Sequence, residues 1–277
     1  MLPLLCWIFA AVVLGQKEFL AKFKELTGRG QKRFGPLTRV VAGKNANPFE
    51  YPFMVYFRLD KISDDDYLCG GTALNSHLVL TAAHCLHKNY VDRFSVHSHR
   101  HDKSVTPSKE KGGVHGLDSI VIHEKYDETG DAPQNDIAIA KLIQPMKISK
   151  FVLLPSATMK DPSLQADLTV VGWGLTYTGG EGSDVLQKAE HLHLTNSCFS
   201  RPELKKNTHL CATSEFGQDA CTNDSGGPLL LPSGKSMVQI GIVSTGAACG
   251  VAAEPGIYTK LSGYAGWIQA TSEKLNT

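Results

Sequence analysis

The stretch 219–228 reads DACTNDSGGP and places Ser225 directly before two glycines. Glycines next to a serine let the backbone turn sharply and come close to a bound ligand. Serine is a poor nucleophile until a base takes its proton, so this stretch predicts a histidine and an orienting acid elsewhere in the chain. Taken alone, a Ser-Gly-Gly sequence is equally compatible with an ordinary loop.

Two further segments supply the missing partners. Residues 81–85 read TAAHC and contain His84, while residues 135–140 read NDIAIA and contain Asp136. A single histidine beside a cysteine is usually structural. The three residues together, in the chain order His, Asp, Ser, instead indicate nucleophilic acyl transfer. We therefore identify His84, Asp136 and Ser225 as the candidate catalytic residues.

Short apolar and β-branched runs surround these motifs and are separated by Gly, Pro, Asn, Asp and Ser. Many short strands with regular turns are typical of an all-β sandwich or barrel. A crossover between two halves is predicted at 150–163, where two prolines break the pattern. The runs are FMVYFRL (53–59), HLVLTAA (77–83), DIAIAKL (136–142), DLTVVGWG (167–174), MVQIGIVS (237–244) and GIYTKL (256–261).

The last stretch, SGYAGWIQATSEKL, predicts a C-terminal helix over residues 262–274. Tyr264, Trp267, Ile268 and Leu275 recur at roughly helical spacing, which favours an apolar face that packs on the body of the protein. Gly266 weakens this prediction, since glycine is a poor helix former.

The charge balance gives no reason to expect a nucleic acid or an anionic membrane as a partner. The formal net charge is +1, and 42% hydrophobic with 20% charged residues is ordinary for a soluble globular protein. The distribution is uneven, however. Residues 16–39 hold seven Lys or Arg against two acids, whereas residues 40–277 hold 21 basic and 25 acidic side chains. The basic segment is therefore predicted to be a separate unit.

Residues 1–15, MLPLLCWIFAAVVLG, carry no charged side chain. The run is too short to cross a bilayer as a helix, which needs about 20 apolar residues. It has the length of a signal-peptide core and ends at a small residue, so it predicts secretion. A buried N-terminal helix is the alternative interpretation.

Cysteine usage fits an oxidising compartment. Removal of Cys6 with the signal leaves an even set, which is typical of disulfides, although spacing alone leaves 15 pairings open. A zinc site is disfavoured because no two cysteines are separated by two residues. The remaining cysteines are Cys69, Cys85, Cys198, Cys211, Cys221 and Cys249.

The three motifs resemble those of the chymotrypsin/trypsin family of serine endopeptidases, and the resemblance covers nearly all of residues 40–268. It implies a trypsin-like fold of two six-stranded antiparallel β-barrels packed together, at about 40–150 and 155–260, followed by the C-terminal helix. The active site then lies in the cleft between the barrels. The implied disulfides are Cys69–Cys85, Cys198–Cys211 and Cys221–Cys249.

The resemblance also assigns roles around the nucleophile. His84 is the general base, Asp136 orients it, and the Ser244 hydroxyl donates a hydrogen bond to Asp136. The backbone N–H groups of Asn223 and Ser225 form the oxyanion hole.

Substrate preference is predicted from a single acid. Asp219 lies six residues before Ser225, at the base of the primary pocket in trypsin-like members, and favours an Arg or Lys partner. Gly246 and Gly256 match the small residues that line the wall of that pocket. In the alternative interpretation Asp219 is a solvated loop acid.

Residues 37–43, LTRVVAG, resemble a zymogen junction. Cleavage after Arg39 removes the propeptide 16–39, and the new α-amino group of Val40 is expected to pair with Asp224. Another trypsin-like protease, or this enzyme itself, is the expected activator. Protein or peptide substrates and protein protease inhibitors are the other expected partners of a secreted monomer.

Two departures from the family pattern leave alternatives open. Asn223 stands where the family usually has Gly, which admits a catalytically weak homologue with a regulatory or binding role. Thr245 replaces the usual Trp beside the substrate strand, so the preference of that subsite is not predicted. An active protease of chymotrypsin-, elastase- or collagenase-like preference is the other alternative.

Four histidines lie close together in the sequence, as they do in some metal sites. Their surroundings at 92–116 are polar and rich in Lys, Ser and Gly, which instead predicts a solvated loop. No metal or cofactor is predicted. The histidines are His97, His99, His101 and His115.

Overall fold

A computed structural model describes residues 43–59, 68–86, 91–130, 132–174, 182–214, 224–245 and 255–276. The chain divides into units 1–39 and 40–277, and every described residue belongs to the second unit. The strands are β1 (Lys44–Asn45), β2 (Met54–Leu59), β3 (Leu68–Ala73), β4 (Leu78–Thr81), β5 (Phe94–Ser98), β6 (Gly113–Ile122), β7 (Ala138–Leu142), β8 (Leu168–Gly172), β9 (Gln187–Leu194), β10 (His209–Thr213), β11 (Pro228–Ser233), β12 (Ser236–Thr245) and β13 (Gly256–Lys260). The helix is α1 (Ala265–Asn276).

The first barrel closes in the order β2-β3-β4-β7-β6-β5, with every pair antiparallel. Apolar side chains from these strands fill its interior, among them Phe57, Leu80 and Ile139, each at most 1% exposed. The short apolar and β-branched runs of this half therefore form strands, as predicted, because together they bury the barrel interior.

The second barrel is a sheet in the order β1-β9-β10-β13-β12-β11-β8, which closes because β8 also pairs with β9. Its interior is a separate apolar cluster that contains Leu168, Leu229 and Tyr258. A third cluster, with Met54 of β2 and Leu230 of β11, joins the two barrels. The predicted fold of two six-stranded antiparallel barrels is confirmed.

Each end of the described chain contacts the barrel built mainly from the other half. Strand β1 pairs with β9, so it extends the second sheet although it falls within the range 40–150 predicted for the first barrel. At the other end, α1 follows a 3-10 turn at Leu261–Tyr264. The apolar side chains Tyr264, Ile268 and Leu275 lie in the core cluster of the first barrel. The predicted C-terminal helix is confirmed, and it covers the first barrel.

The segment 92–116 is only in part the solvated loop predicted from its polar composition. Residues 99–112 form a loop in which all side chains except Arg100 are partly or fully exposed, but the two ends of the segment are strands. These strands are β5, in which all five residues are buried, and the start of β6. The polar side chains that are buried there have partners within the segment or on β2. Ser98 Oγ lies 2.8 Å from His115 Nε2, and the His97 ring stacks on Tyr56 with centroids 4.6 Å apart.

Among the described residues, no helix is long and apolar enough to cross a membrane.

Candidate active site

The pairing of β4 with β7 brings the candidate base and acid together. Thr81 at the end of β4 is opposite Ala138 at the start of β7. His84 follows in a 3-10 turn at Ala83–Cys85, and Asp136 lies two residues before β7. A disulfide from Cys85 to Cys69 of β3 ties this turn to the barrel wall.

His84 binds the Asp136 carboxylate in two places. Its backbone N–H donates to Asp136 Oδ1 at 3.0 Å, and its ring Nδ1 lies 2.8 Å from Oδ2. Asp136 is 0% exposed, while the His84 side chain is 23% exposed. When Nδ1 donates to the buried carboxylate, the remaining ring nitrogen, Nε2, is left as the proton acceptor.

The second barrel also contributes to the Asp136 site. Ser244 Oγ of β12 donates to Asp136 Oδ2 at 2.5 Å, in agreement with the predicted contact. Thr259 Oγ1 of β13 donates to the backbone carbonyl of Asp136 at 2.8 Å. Thr259 is not predicted from the sequence, because a threonine inside a predicted strand is common. Buried carboxylates are costly unless they are hydrogen-bonded, and the donors from Ser244 and His84 satisfy this one.

Ser225 precedes β11 and lies against the first barrel. Its carbonyl accepts a hydrogen bond from Gly70 N of β3 at 2.8 Å. Gly226 has φ +80°, and a Cβ there would lie 2.5 Å from Gly70 O and 3.2 Å from Cys85 Sγ. The glycine after the candidate nucleophile is therefore needed both for its backbone conformation and for the close approach to the His84 turn.

Asp224 occupies a cradle at the end of β8. Its Oδ1 accepts a hydrogen bond from Gly174 N at 2.8 Å. A Cβ at Gly172 or at Gly174 would collide with the Asp224 carboxylate, so the cradle requires both glycines. Trp173 between them donates from Nε1 to His101 O at 3.1 Å, which fixes the cradle to the first barrel.

Of the pocket residues, Gly256 is buried at the start of β13, opposite Ala212 of β10. Thr245 ends β12 opposite Ile257. The predicted Cys198–Cys211 disulfide is present in the second barrel.

Some predicted site residues lie outside the part of the chain that the structure describes. They are Arg39, Val40, Asp219, Cys221, Asn223, Gly246 and Cys249.

One group of possible metal ligands lies at this site. Potential ligand atoms of Cys69, His84 and Cys85 lie within 4.8 Å of one another. The two sulfurs form a disulfide, so neither is a thiolate that could bind a metal. The cluster is therefore the covalent support of the His84 turn.

Comparison with known proteins shows that the chain is similar to serine proteases. The family model described as Trypsin matches residues 40–268. The chain is 34% identical over 239 residues to venom serine protease 34 of Apis mellifera, covering 83% of this chain and 58% of that protein. It is 33% identical over 243 residues to chymotrypsin-C of Mus musculus, covering 83% and 88%. It is 31% identical over 249 residues to trypsin of Phaedon cochleariae, covering 86% and 90%.

Proposed function

Because this chain belongs to the trypsin family of serine proteases, we propose that it is a secreted endopeptidase that hydrolyses the peptide bond after Arg or Lys. The observation that carries the proposal is the His84 Nδ1–Asp136 Oδ2 contact of 2.8 Å beside the Ser225 turn. It supplies a general base whose orientation is fixed next to a candidate nucleophile.

In this proposal Ser225 Oγ attacks the scissile carbonyl while His84 Nε2 takes its proton. Asp136 holds the Nδ1–H tautomer and stabilises the imidazolium that forms. His84 then protonates the leaving amine, and a water molecule repeats the sequence on the acyl-enzyme. The developing oxyanion is bound by the backbone N–H groups of Asn223 and Ser225, at about 3–4 kcal/mol per donor.

Specificity for Arg or Lys rests on Asp219 at the base of the primary pocket, with Gly246 and Gly256 as its small walls. A basic side chain would pair with this acid by a charge-assisted hydrogen bond. The trypsin of Phaedon cochleariae among the relatives supports this preference. Protein inhibitors that present Arg or Lys are the expected partners of the same pocket.

Activation is proposed to follow removal of the signal 1–15 and cleavage after Arg39. The new Val40 α-amino group would then pair with the Asp224 carboxylate. The cradle at Gly172 and Gly174 supports this step, since it holds Asp224 one residue before the nucleophile. A trypsin-like protease, or the enzyme itself, is the expected activator.

Two other functions have a specific observation in their favour. Chymotrypsin-C of Mus musculus among the relatives favours an active enzyme with a different preference. Asn223, in place of the Gly usual at that position, favours a weakly catalytic homologue that binds or regulates.

The test is hydrolysis of matched chromogenic peptides ending in Arg, Lys, Phe, Leu or Ala, with protein cleaved after Arg39. We expect turnover of the Arg and Lys peptides only, its abolition in Ser225→Ala, and its strong reduction in Asp219→Ser. Turnover confined to Phe, Leu or Ala peptides would overturn the specificity and leave the mechanism intact. No turnover by protein with Val40 as its proven N-terminus would favour the regulatory homologue.

A further inference from the structure

The backbone carbonyl of Asp136 has a donor from the second barrel. Thr259, on β13, is 2% exposed and its Oγ1 lies 2.8 Å from Asp136 O. The strand that carries Thr259 is fixed on both sides, with Ile242 of β12 and His209 of β10 as its direct neighbours. The position of this hydroxyl is therefore set by the second barrel, while Asp136 belongs to the first.

We propose that Thr259 is a positioning residue of the catalytic reaction, which holds the Asp136 peptide so that its carboxylate stays in register with His84 and Ser244. This role rests on the proposed function.

The backbone on the other side of Asp136 is fixed as well. Asn135 has φ +53°, an uncommon conformation for a residue other than glycine. Its Nδ2 donates to Lys125 O at 2.6 Å, and its Oδ1 accepts from Tyr264 OH at 3.0 Å. Burial raises the pKa of Tyr264 to about 12, so this hydroxyl remains a donor throughout the neutral range. The turn at Asn135 and Asp136 is thus held by Asn135 on one side and by Thr259 on the other.

The effect on chemistry follows from the short distances at the carboxylate. Its Oδ2 lies 2.5 Å from Ser244 Oγ and 2.8 Å from His84 Nδ1, distances at which a small rotation of the peptide weakens both hydrogen bonds. Weaker binding of His84 by Asp136 disfavours the imidazolium. Loss of the Thr259 hydroxyl is therefore expected to lower kcat, with little change in KM.

The experiment compares Thr259→Val, which keeps the shape but lacks the hydroxyl, with Thr259→Ser, which restores it. Thr169→Val is the matched control, because Thr169 is a buried threonine of the second barrel on β8. The enzyme is cleaved after Arg39 and its active sites are titrated. We expect Thr259→Val to lower kcat about tenfold, with KM within about twofold, and to shift the acid limb of kcat/KM to lower pH. We expect Thr259→Ser to recover most of kcat.

A second readout does not need turnover. The NMR resonance of the His84 Nδ1 proton, which reports its hydrogen bond to Asp136, is expected to shift in Thr259→Val and to stay unchanged in Thr169→Val. An active wild type in which Thr259→Val behaves like Thr169→Val by both readouts would overturn the role of Thr259 alone. An inactive wild type would overturn the proposed function, and the NMR resonance of the His84 Nδ1 proton would still decide whether Thr259 positions the His84–Asp136 pair.

Discussion

The Asp136 carboxylate accepts three hydrogen bonds, from His84 N, His84 Nδ1 and Ser244 Oγ. Two of these donors come from the base that it orients, and the third comes from the opposite barrel. Hydrogen bonds to charged groups contribute about 1.5–3 kcal/mol, roughly twice the neutral value. Ser244 is therefore expected to matter more for catalysis than a buried serine that binds a neutral partner.

Ser244→Ala is predicted to lower kcat/KM by about 10- to 100-fold, because the carboxylate loses one of its charge-assisted hydrogen bonds. Steady-state kinetics on the best Arg or Lys peptide provides the measurement. Ser98→Ala is the matched control, since Ser98 is 1% exposed and its Oγ lies 2.8 Å from His115 Nε2, within the first barrel. This control is expected to lose stability but to keep kcat/KM. Equal kinetic losses in the two variants would contradict the prediction.

Residue by residue, the sequence predicts those parts of the site that carry a motif. His84, Asp136 and Ser225 lie in recognisable segments, and the Ser244–Asp136 contact follows from the family resemblance. The contact of Thr259 cannot be predicted in this way. It depends on which carbonyl faces β13, and that depends on how the two barrels meet. A side chain that acts through a tertiary contact leaves no local pattern in the sequence.

Among the elements, the helix α1 is predicted in spite of a glycine, Gly266, which disfavours helix formation. Gly266 lies in the first turn of the helix and is exposed, with nothing within 4 Å of a Cβ built on it. The helix forms nevertheless, because Ile268 and Leu275 bury their side chains in the core of the first barrel. Tertiary packing thus outweighs the poor helix propensity of a single glycine.

Gly266→Ala is predicted to stabilise the protein by about 0.5–1 kcal/mol, because alanine gains helix propensity without a new contact. Denaturation of the inactive Ser225→Ala protein by urea gives the free energy of unfolding. Gly263, three residues earlier, is the matched comparison. A Cβ there would collide with Asn207 O, so Gly263→Ala is expected to destabilise. If both substitutions changed stability in the same direction, this account of the helix start would be wrong.

Strand β5, in contrast, is an element that the sequence does not predict. Its residues FSVHS belong to a stretch that the sequence predicts to be a solvated loop, because the segment 92–116 is polar and rich in Lys, Ser and Gly. In the structure Phe94 and Val96 fill the barrel interior, while Ser95 and His97 on the other face are buried together, with Ser95 Oγ 3.2 Å from His97 Nε2. Composition cannot distinguish a solvated polar side chain from one that is buried beside a partner on the same or a neighbouring strand.

At the scale of the whole molecule, several histidines link stability to pH. Burial lowers the pKa of His209, of His115 and of His123 below the usual value. His209 is 2% exposed, and its Nδ1 accepts from Lys205 N at 3.2 Å, which fits a neutral ring. The unfolded chain then binds more protons than the folded protein once the pH falls below the ordinary histidine value of about 6.5.

The free energy of unfolding is therefore predicted to decrease as the pH falls from about 7 to 5. Urea titrations of Ser225→Ala protein at several pH values, with the disulfides intact, test this. Adding His209→Gln is expected to flatten the dependence, because one of the groups that gains a proton on unfolding is removed. Adding His191→Gln is the control and is expected to keep the slope, since the His191 side chain is 57% exposed. A slope that is the same with and without His209 would refute its part in the linkage.

Each of the two described disulfides joins residues within one barrel, Cys69–Cys85 in the first and Cys198–Cys211 in the second. The two ends of the described chain pack on opposite barrels. A single cut in the connector between β7 and β8 would therefore give two chains with no described covalent link between them. The N-terminal fragment would still pair its strand β1 with the second barrel, and the C-terminal fragment would still pack α1 on the first barrel. Such a nicked protein would be a heterodimer governed by mass action, stable when concentrated and liable to dissociate on dilution.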